Sequence, residues 1–188
     1  MSDREHVEIR TRAELRAWLT EHHTRTESIW LVHYKKHTEH YVAWGEIVQE
    51  ALCWGWVDGH VKRIDDDRLK HLLSPRRAGS HWSAINKRHV AKLEASGLMT
   101  DAGRAVIERA KADGSWTWLD DVEALVVPDD LAKALSTDAA AAATWETYPD
   151  SEKKRVLFEL KSAKRAPTRA KRLEKVLANA REGKRTYT

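Results

Sequence analysis

Residues 28–35 read Ser-Ile-Trp-Leu-Val-His-Tyr-Lys, a run rich in β-branched and aromatic side chains. Such side chains favour a strand, and the run is too short for a buried helix. Upstream, Thr11 and Glu14 have the spacing of a capping box, and apolar residues then recur at helical spacing, which predicts a helix over 12–22. We expect this helix to pack its apolar face against a sheet that contains strand 28–35.

The chain after this strand first returns to a helical pattern and then becomes extended. Apolar residues recur at helical spacing over 47–52, and Gly55 marks the end of this helix because glycine readily adopts the left-handed conformation found there. Extended runs over 56–64 and 68–74 flank the acidic cluster 65–67, whose residue types favour a turn. These two runs predict a β-hairpin.

Helical patterns dominate the rest of the chain. Pro128 marks the predicted domain boundary, because the composition becomes helix-forming and basic after it. The predicted helices lie at 80–96, 100–113, 130–148 with a break near 137, 151–164 and 168–182. The sequence predicts an α+β fold: helices pack on a small antiparallel sheet in residues 1–127, and a small basic all-helical C-terminal module follows in residues 128–188.

Composition excludes several classes of protein. The chain has 188 residues, of which 41% are hydrophobic and 33% charged, so it can bury a core and is not of the disordered class. Cys53 is the single cysteine, so no internal disulfide can form. The first 16 residues lack the apolar run of an export signal, and no 18 apolar residues occur together. We therefore expect a cytoplasmic location, no membrane insertion and no cofactor.

Charge is distributed unevenly along the chain. The net charge is +4, yet residues 60–92 carry nine Lys or Arg against three Asp or Glu, and residues 150–188 carry thirteen against five. The remainder of the chain is therefore acidic. Two basic segments predict an anionic partner, whereas the alternative is that these helices simply have solvated basic faces.

Four segments form an ordered signature: 30–36 (Trp-Leu-Val-His-Tyr-Lys-Lys), 50–59 (Glu-Ala-Leu-Cys-Trp-Gly-Trp-Val-Asp-Gly), 74–77 (Ser-Pro-Arg-Arg) and 82–86 (Trp-Ser-Ala-Ile-Asn). They resemble the signature of the YdeI/OmpD-associated (bacteriocin-protection) family. Residues 162–169 (Ser-Ala-Lys-Arg-Ala-Pro-Thr-Arg) are similar to that family's C-terminal helical module. The resemblance implies a role in protection against antibacterial peptides or stress, and it implies no established reaction.

Polar and aromatic side chains in and after the predicted sheet are candidate ligand-binding residues. They are Tyr34, Lys36, Asp58, Lys62, Arg76, Arg77, Trp82, Ser83 and Asn86. Alternate residues of a strand share one face, so we expect Asp58, His60 and Lys62 to point together, and Tyr34 to point with Lys36.

The two arginines at 76 and 77 are the centre of this candidate site. They precede a helix whose N-terminal amides favour negative charge, which predicts a site for a small anionic ligand such as a phosphate, a carboxylate or a nucleotide-like molecule. Trp82 is placed to stack on a planar ligand. The alternative makes Asp58 an ion-pair partner of Lys62 or Arg76 and leaves Trp82 as core packing.

Catalysis and metal binding have weaker support. The chain lacks the His-Glu-x-x-His, Gly-x-x-x-x-Gly-Lys, Gly-x-Ser-x-Gly and Gly-x-Gly-x-x-Gly patterns of common enzyme classes. His33 and His37 are four residues apart, but this spacing aligns metal ligands on a helix and the segment is predicted to be strand and loop. Cys53 lies on an apolar helix face, where a buried structural thiol is expected. An unrecognised enzyme with a site around Asp58 stays an alternative.

A nucleic-acid-binding protein is the other alternative. Basic side chains on the predicted helices would neutralise backbone phosphates. They are Lys87, Arg88, Lys92, Lys161, Lys164, Arg165, Arg169, Lys171, Arg172 and Lys175. No base-reading motif accompanies them, and acidic residues such as Glu159, Glu174 and Glu182 are interspersed among them, which is typical of ordinary helix-surface pairing.

Overall fold

The computed structural model describes residues 4–185 and divides the chain into two compact units, 1–118 and 119–188. Residues 1–3 of the first expected domain and residues 186–188 of the second lie outside the described part. The change of unit falls at 118/119, because Leu119, Val122 and Leu125 pack into the second hydrophobic core. The sequence boundary at 127/128 stays a prediction for where an independently folding domain begins.

The first unit combines a sheet with four helices. Its elements are β1 (His6–Glu8), α1 (Arg12–His22), β2 (Ile29–Tyr34), α2 (Trp44–Cys53), β3 (Trp56–Arg63), β4 (Arg68–Pro75), α3 (Ala84–Ala95) and α4 (Asp101–Ala112). Within the described residues the strand order is β1-β2-β4-β3. The α+β fold class is confirmed, and β3 and β4 form the predicted hairpin.

One edge strand distinguishes this sheet from the antiparallel sheet expected from the sequence. β1 pairs with β2 in parallel, with His6 opposite Trp30 and Glu8 opposite Val32. The pairs β2–β4 and β3–β4 are antiparallel. β1 has three residues, which is too short for an alternating hydrophobic pattern to predict it.

One face of the sheet carries the core of the first unit. Ile29 and Leu31 of β2 and Leu73 of β4 are fully buried against α1 and α2. Leu15 and Leu19 of α1, at the predicted helical spacing, are also completely buried. Full burial of such a side chain stabilises the fold by roughly 1.5–3 kcal/mol.

A register shift in β3 decides which of its side chains share a face. Asp58 lies opposite Leu73, whereas Val61 lies opposite His71 and Lys62 opposite Lys70. Since Leu73 and His71 are two residues apart on β4, they share one face, so Asp58 and Val61 point to the core face and Lys62 to the other. The expectation that Asp58 and Lys62 point together is wrong for this reason.

α4 packs closely on the end of α2 through a glycine. A Cβ on Gly103 would lie 2.3 Å from the carbonyl oxygen of Cys53. The Thr100 hydroxyl donates to the same oxygen at 2.5 Å. Cys53 itself is fully buried, and burial raises the pKa of its thiol, so it is a structural thiol.

The second unit is helical throughout its regular elements. They are α5 (Asp120–Glu123), α6 (Asp129–Ser136), α7 (Ala139–Thr147), α8 (Asp150–Lys161) and α9 (Ala166–Arg181). The predicted helix 130–148 is broken at 137–138, as the sequence indicated, and the Asp138 carboxylate caps α7 by accepting from the amide of Ala141 at 3.0 Å. No helix within residues 4–185 combines the length and apolar character needed to span a membrane.

Candidate functional site

Arg76, directly after β4, is a buried arginine with unused donors. Its side chain is 5% exposed, and its guanidinium carbon lies 3.8 Å from the centre of the Trp82 ring. Nη1 donates to the carbonyl oxygen of His81 at 3.2 Å and makes a long contact of 3.4 Å with the Ser80 hydroxyl. Nε and Nη2 have no hydrogen-bond partner in the described chain. Burial lowers the pKa of Arg76 to about 10, and the charge of Asp58 opposes this shift.

Asp58 is the acidic group that faces Arg76. It is half-buried on β3, and its carboxylate accepts no hydrogen bond from any residue within 4–185. A carboxylate has about four acceptor positions, so Asp58 can take donors from a bound molecule. Arg76 and Asp58 attract each other electrostatically but form no ion pair within 4.0 Å among the described residues.

A cavity of about 320 Å³ lies on the core face of the sheet beside Asp58, and we name it the Trp44 cavity. Its lining residues are Trp44, Gly45, Val48, Asp58, Ile85, Asn86 and His89. They come from the first turns of α2, from β3 and from α3. The volume is at the lower end of the range for small-molecule sites.

The opposite face of the sheet has a second cavity, of about 480 Å³, which we name the arginine–hydroxyl cavity. Its lining includes two arginines and four hydroxyl side chains: Arg4, Arg77, Thr26, Ser28, Ser74 and Ser80. Val57, Leu72, Pro75, Ala78 and Gly79 complete it. Within residues 4–185 neither arginine has an acidic partner, and no carboxylate lines this cavity.

Local backbone structure places the polar groups of this second cavity. Ser28 precedes β2 and Ser74 lies on β4, and their hydroxyl oxygens are 2.8 Å apart. Since only one of the two hydroxyls donates to the other, the second keeps its proton for a ligand. The turn after β4 exposes Arg77 while Arg76 turns inward, and the amide of Gly79 in this turn donates to Asp113 at 3.0 Å.

The structure groups some of the predicted site residues and separates others. Asp58 and Asn86 line the Trp44 cavity, and Arg76 lies beside Asp58. Trp82 is a buried core residue that stacks on Arg76, and Ser83 caps α3 by accepting from the amide of Asn86 at 3.3 Å. Arg77 lines the arginine–hydroxyl cavity on the other face.

Tyr34, Lys36 and Lys62 line neither of these two cavities. The Tyr34 hydroxyl donates to Glu8 at 2.5 Å, and this bond is the main cause that lowers the pKa of Glu8. Lys36 is exposed in the turn after β2. The Lys62 ammonium lies 5.2 Å from the centre of the Trp30 ring, which Lys70 approaches to 5.0 Å.

Sequence reasoning missed several cavity residues. Trp44 begins α2 and Ile85 lies in the first turn of α3, so both positions have the pattern of ordinary apolar helix residues. Ser28 and Ser74 are small hydroxyl residues at strand ends, which suit turns as well as sites. Val57 and Asp58 are adjacent on one strand, so their side chains point to opposite faces of the sheet. This alternation is the sequence signal that the polar residues would divide between the two faces.

Buried His33 and half-buried His71 form a pair beside Trp44. His33 Nε2 and His71 Nδ1 are 2.8 Å apart, and His71 stacks on Trp44 with ring centres 3.7 Å apart. Burial, together with the charge of His33, lowers the pKa of His71 to about 4. Burial also lowers the pKa of His33, whose Nδ1 has no partner in the described chain. Both rings are therefore neutral at pH 7.

Among the described residues no group of three or more His, Cys, Asp or Glu side chains is placed to hold a metal ion.

In the helical unit, Lys161 pairs with Asp121, Arg169 with Asp130 at 2.6 Å and Arg172 with Glu159 at 3.2 Å. Three of the side chains counted for nucleic-acid binding are thus engaged within the fold.

Two different family models match the N-terminal and the C-terminal parts of the chain. Residues 7–106 match the model of a domain of unknown function, DUF8412, and this span includes the four segments of the N-terminal signature. Residues 124–183 match the model described as Bacteriocin-protection, YdeI or OmpD-Associated, so the predicted resemblance is confirmed for the C-terminal helices as a partial match. Searches of curated proteins and of solved structures gave no significant match. Because the first match covers more than half of the chain, the protein belongs to the DUF8412 family, and its residues 124–183 are similar to the YdeI/OmpD-associated model.

Proposed function

We propose that the first unit is a binding module for a small anionic molecule, which it holds in the arginine–hydroxyl cavity. The observation that carries this proposal is the combination of Arg4, Arg77 and four hydroxyl side chains around one cavity without a lining carboxylate in the described chain. A guanidinium binds phosphate or carboxylate through two parallel hydrogen bonds, and hydroxyl groups add further donors.

The cavity suits a small ligand better than a long polyanion. About 480 Å³ holds a molecule of metabolite size, with the apolar side chains of Val57 and Leu72 beside its body. The basic helices of the second unit support nucleic-acid binding less well, since Arg169 and Arg172 donate to groups within their own unit. A phosphorylated or carboxylated metabolite is therefore the proposed ligand class.

We also propose that this binding takes place in the cytoplasm and contributes to protection against antibacterial peptides. The protective role is named in the description of the family model matched by residues 124–183. The proposal predicts that cells overproducing the native chain survive a bacteriocin challenge better than cells overproducing Arg77→Gln. Equal survival would show that anion binding through Arg77 does not contribute to protection.

Titration calorimetry at low and moderate salt tests the binding itself. The probes are inorganic phosphate, glucose 6-phosphate and citrate, and at least one should bind saturably to the native protein. Arg77→Gln removes the guanidinium fork, so we expect about a tenfold or greater loss of affinity, which corresponds to roughly 1.4 kcal/mol. Arg88→Gln is the matched control, because Arg88 is exposed on α3 and lines neither cavity.

The outcomes separate the competing functions. Equal affinity in native protein, Arg77→Gln and Arg88→Gln would place any anion elsewhere and overturn the proposal. Binding of a single-stranded oligonucleotide that weakens steeply with salt, without response to the three small probes, would favour the nucleic-acid alternative.

A further inference from the structure

The Trp44 cavity contains polar groups that the fold leaves unused. The Asp58 carboxylate accepts no hydrogen bond, and the Asn86 side-chain amide makes none, within residues 4–185. Both groups are half-buried and line one cavity, so their hydrogen-bonding capacity is available to a ligand. Arg76, which attracts Asp58 electrostatically, does not line this cavity, although two of its nitrogens have no partner in the described chain and it is more than nine-tenths buried.

His89 contributes a donor of defined position. Its Nδ1 lies 3.2 Å from Nε2 of Gln49. With the Gln49 amide nitrogen as the donor, Nδ1 of His89 accepts, and the ring N–H donor is then Nε2. The cavity therefore presents a carboxylate acceptor, an amide that both donates and accepts, and a ring N–H donor.

The charges around Asp58 decide between a cationic and a neutral ligand. A lone carboxylate would select an ammonium group. Here the Arg76 guanidinium attracts Asp58 electrostatically and offsets its charge. The site is therefore close to electrically balanced, and it favours a neutral molecule with N–H donors over a cation.

The walls of the cavity are apolar and suit a flat body. Trp44 lines it and is backed by the stacked ring of His71, 3.7 Å away between ring centres. Val48 and Ile85 add aliphatic surface, and Ile85 is 54% exposed although it is a large apolar residue. A planar ring stacks well on an indole that is already fixed on one side.

Gly45 keeps the space beside Trp44 open. It lies in the first turn of α2, and a Cβ built on it would meet no atom within 4 Å. Glycine weakens a helix relative to alanine, and neither packing nor a left-handed backbone requires it here. The empty volume is therefore part of the cavity and is not filled by the core.

From this arrangement we propose that the Trp44 cavity binds a neutral planar heterocycle with adjacent N–H donors, of the guanine type, with the ring on Trp44 and its donors on Asp58. Asn86 and His89 then meet the acceptor atoms of the ring. This site is on the opposite face of the sheet from the arginine–hydroxyl cavity, and it does not depend on an anion being bound there.

Calorimetric titration with guanosine, adenosine and benzylamine tests this inference on the full chain. We expect guanosine to bind at least about tenfold more tightly than adenosine, because two adjacent donors on one edge match a carboxylate. Benzylamine should bind more weakly than guanosine, because Arg76 offsets the charge that would attract a cation. Tighter binding of benzylamine, or no binding of guanosine by a folded protein, would overturn the proposal.

Two substitutions probe the site without relying on the anion cavity. Asp58→Asn keeps the shape but exchanges an acceptor for a donor, so guanosine affinity should fall about tenfold or more. Gly45→Leu fills the open space in a helix that leucine favours, so binding should be lost while the melting temperature is kept or raised. Arg88→Gln, at an exposed position that lines neither cavity, is the control and should leave guanosine affinity unchanged. Native affinity in both Asp58→Asn and Gly45→Leu would sink the inference.

Discussion

Arg169 in the helical unit and Arg76 after β4 are both shielded from solvent, but they differ in how many of their guanidinium donors are hydrogen-bonded within the fold. Arg169 donates from Nε and Nη2 to both oxygens of Asp130, at 2.6 and 2.8 Å, and from Nη1 to the carbonyl oxygen of Leu160 at 2.8 Å. Arg76 is more deeply buried, yet two of its nitrogens have no partner in the described chain. The first arginine holds a fold together, whereas the second keeps donors for something the fold does not supply.

Replacement of Arg169 should therefore give the largest loss of stability. Arg169→Met removes three charge-assisted hydrogen bonds and leaves Asp130 without its counter-charge. We expect the free energy of unfolding of the helical unit to fall by about 3 kcal/mol, at roughly 1 kcal/mol for each bond. Urea unfolding followed by circular dichroism measures this change.

Arg165→Met is the matched control for that experiment. Arg165 is exposed at the start of α9, and its side chain makes no capping hydrogen bond. Its replacement should change the free energy of unfolding by less than about 0.5 kcal/mol. A similar loss in both variants would mean that the Asp130 pair contributes nothing specific.

Neutral histidines in the sheet unit should make its stability depend on pH. The pKa of His71 is about 4 in the folded protein and 6.5 in the unfolded chain, so the unfolded chain binds more protons as the pH falls. The stabilising effect is fully present above pH 6.5 and is lost between pH 6.5 and 4. After a discount for partial solvent screening, we expect a loss of about 2 kcal/mol over that range.

His71→Asn tests the source of this pH dependence. An asparagine can keep a hydrogen bond to His33 but does not titrate, so the loss between pH 6.5 and 4.5 should become smaller. Carboxylates with lowered pKa, such as Glu8 and Asp65, act mainly below this window. An unchanged slope in His71→Asn would assign the effect to His33, whose pKa is also lowered by burial.

The sequence predicted regular structure better than it predicted the site. Capping residues and punctuating glycines and prolines are local signals, so α1 and the β3–β4 hairpin appear where the pattern placed them. The register shift between Asp58 and Val61 depends on the pairing of two strands, which no local pattern records. Lys62 was therefore placed on the wrong face. The site was expected as one pocket, whereas Arg77 lines one cavity and Asp58 and Asn86 line another.

The two adjacent arginines show the same limit. Arg76 and Arg77 are equivalent in composition and charge, and both suited an anion site. In the structure Arg76 stacks on buried Trp82, while Arg77 is exposed and lines the cavity on the other face of the sheet. The inward position of Arg76 involves the ring of Trp82 and Arg109 of α4, whose guanidinium donates to the Arg76 carbonyl oxygen at 2.8 Å, and no local pattern at 76–77 records these contacts.

Replacement of Arg76 should give the smallest change and the sharpest contrast with Arg169. Arg76→Met keeps much of the volume over Trp82 and loses the bonds from Nη1, but it also removes a charge that was buried with two unpartnered donors. These effects oppose each other, so we expect the free energy of unfolding to change by less than about 1 kcal/mol, measured in urea beside Arg77→Met as an exposed control. A loss near that of Arg169→Met would show that Nε and Nη2 already have a partner such as buried water, and the two arginines would then stabilise the protein in the same way.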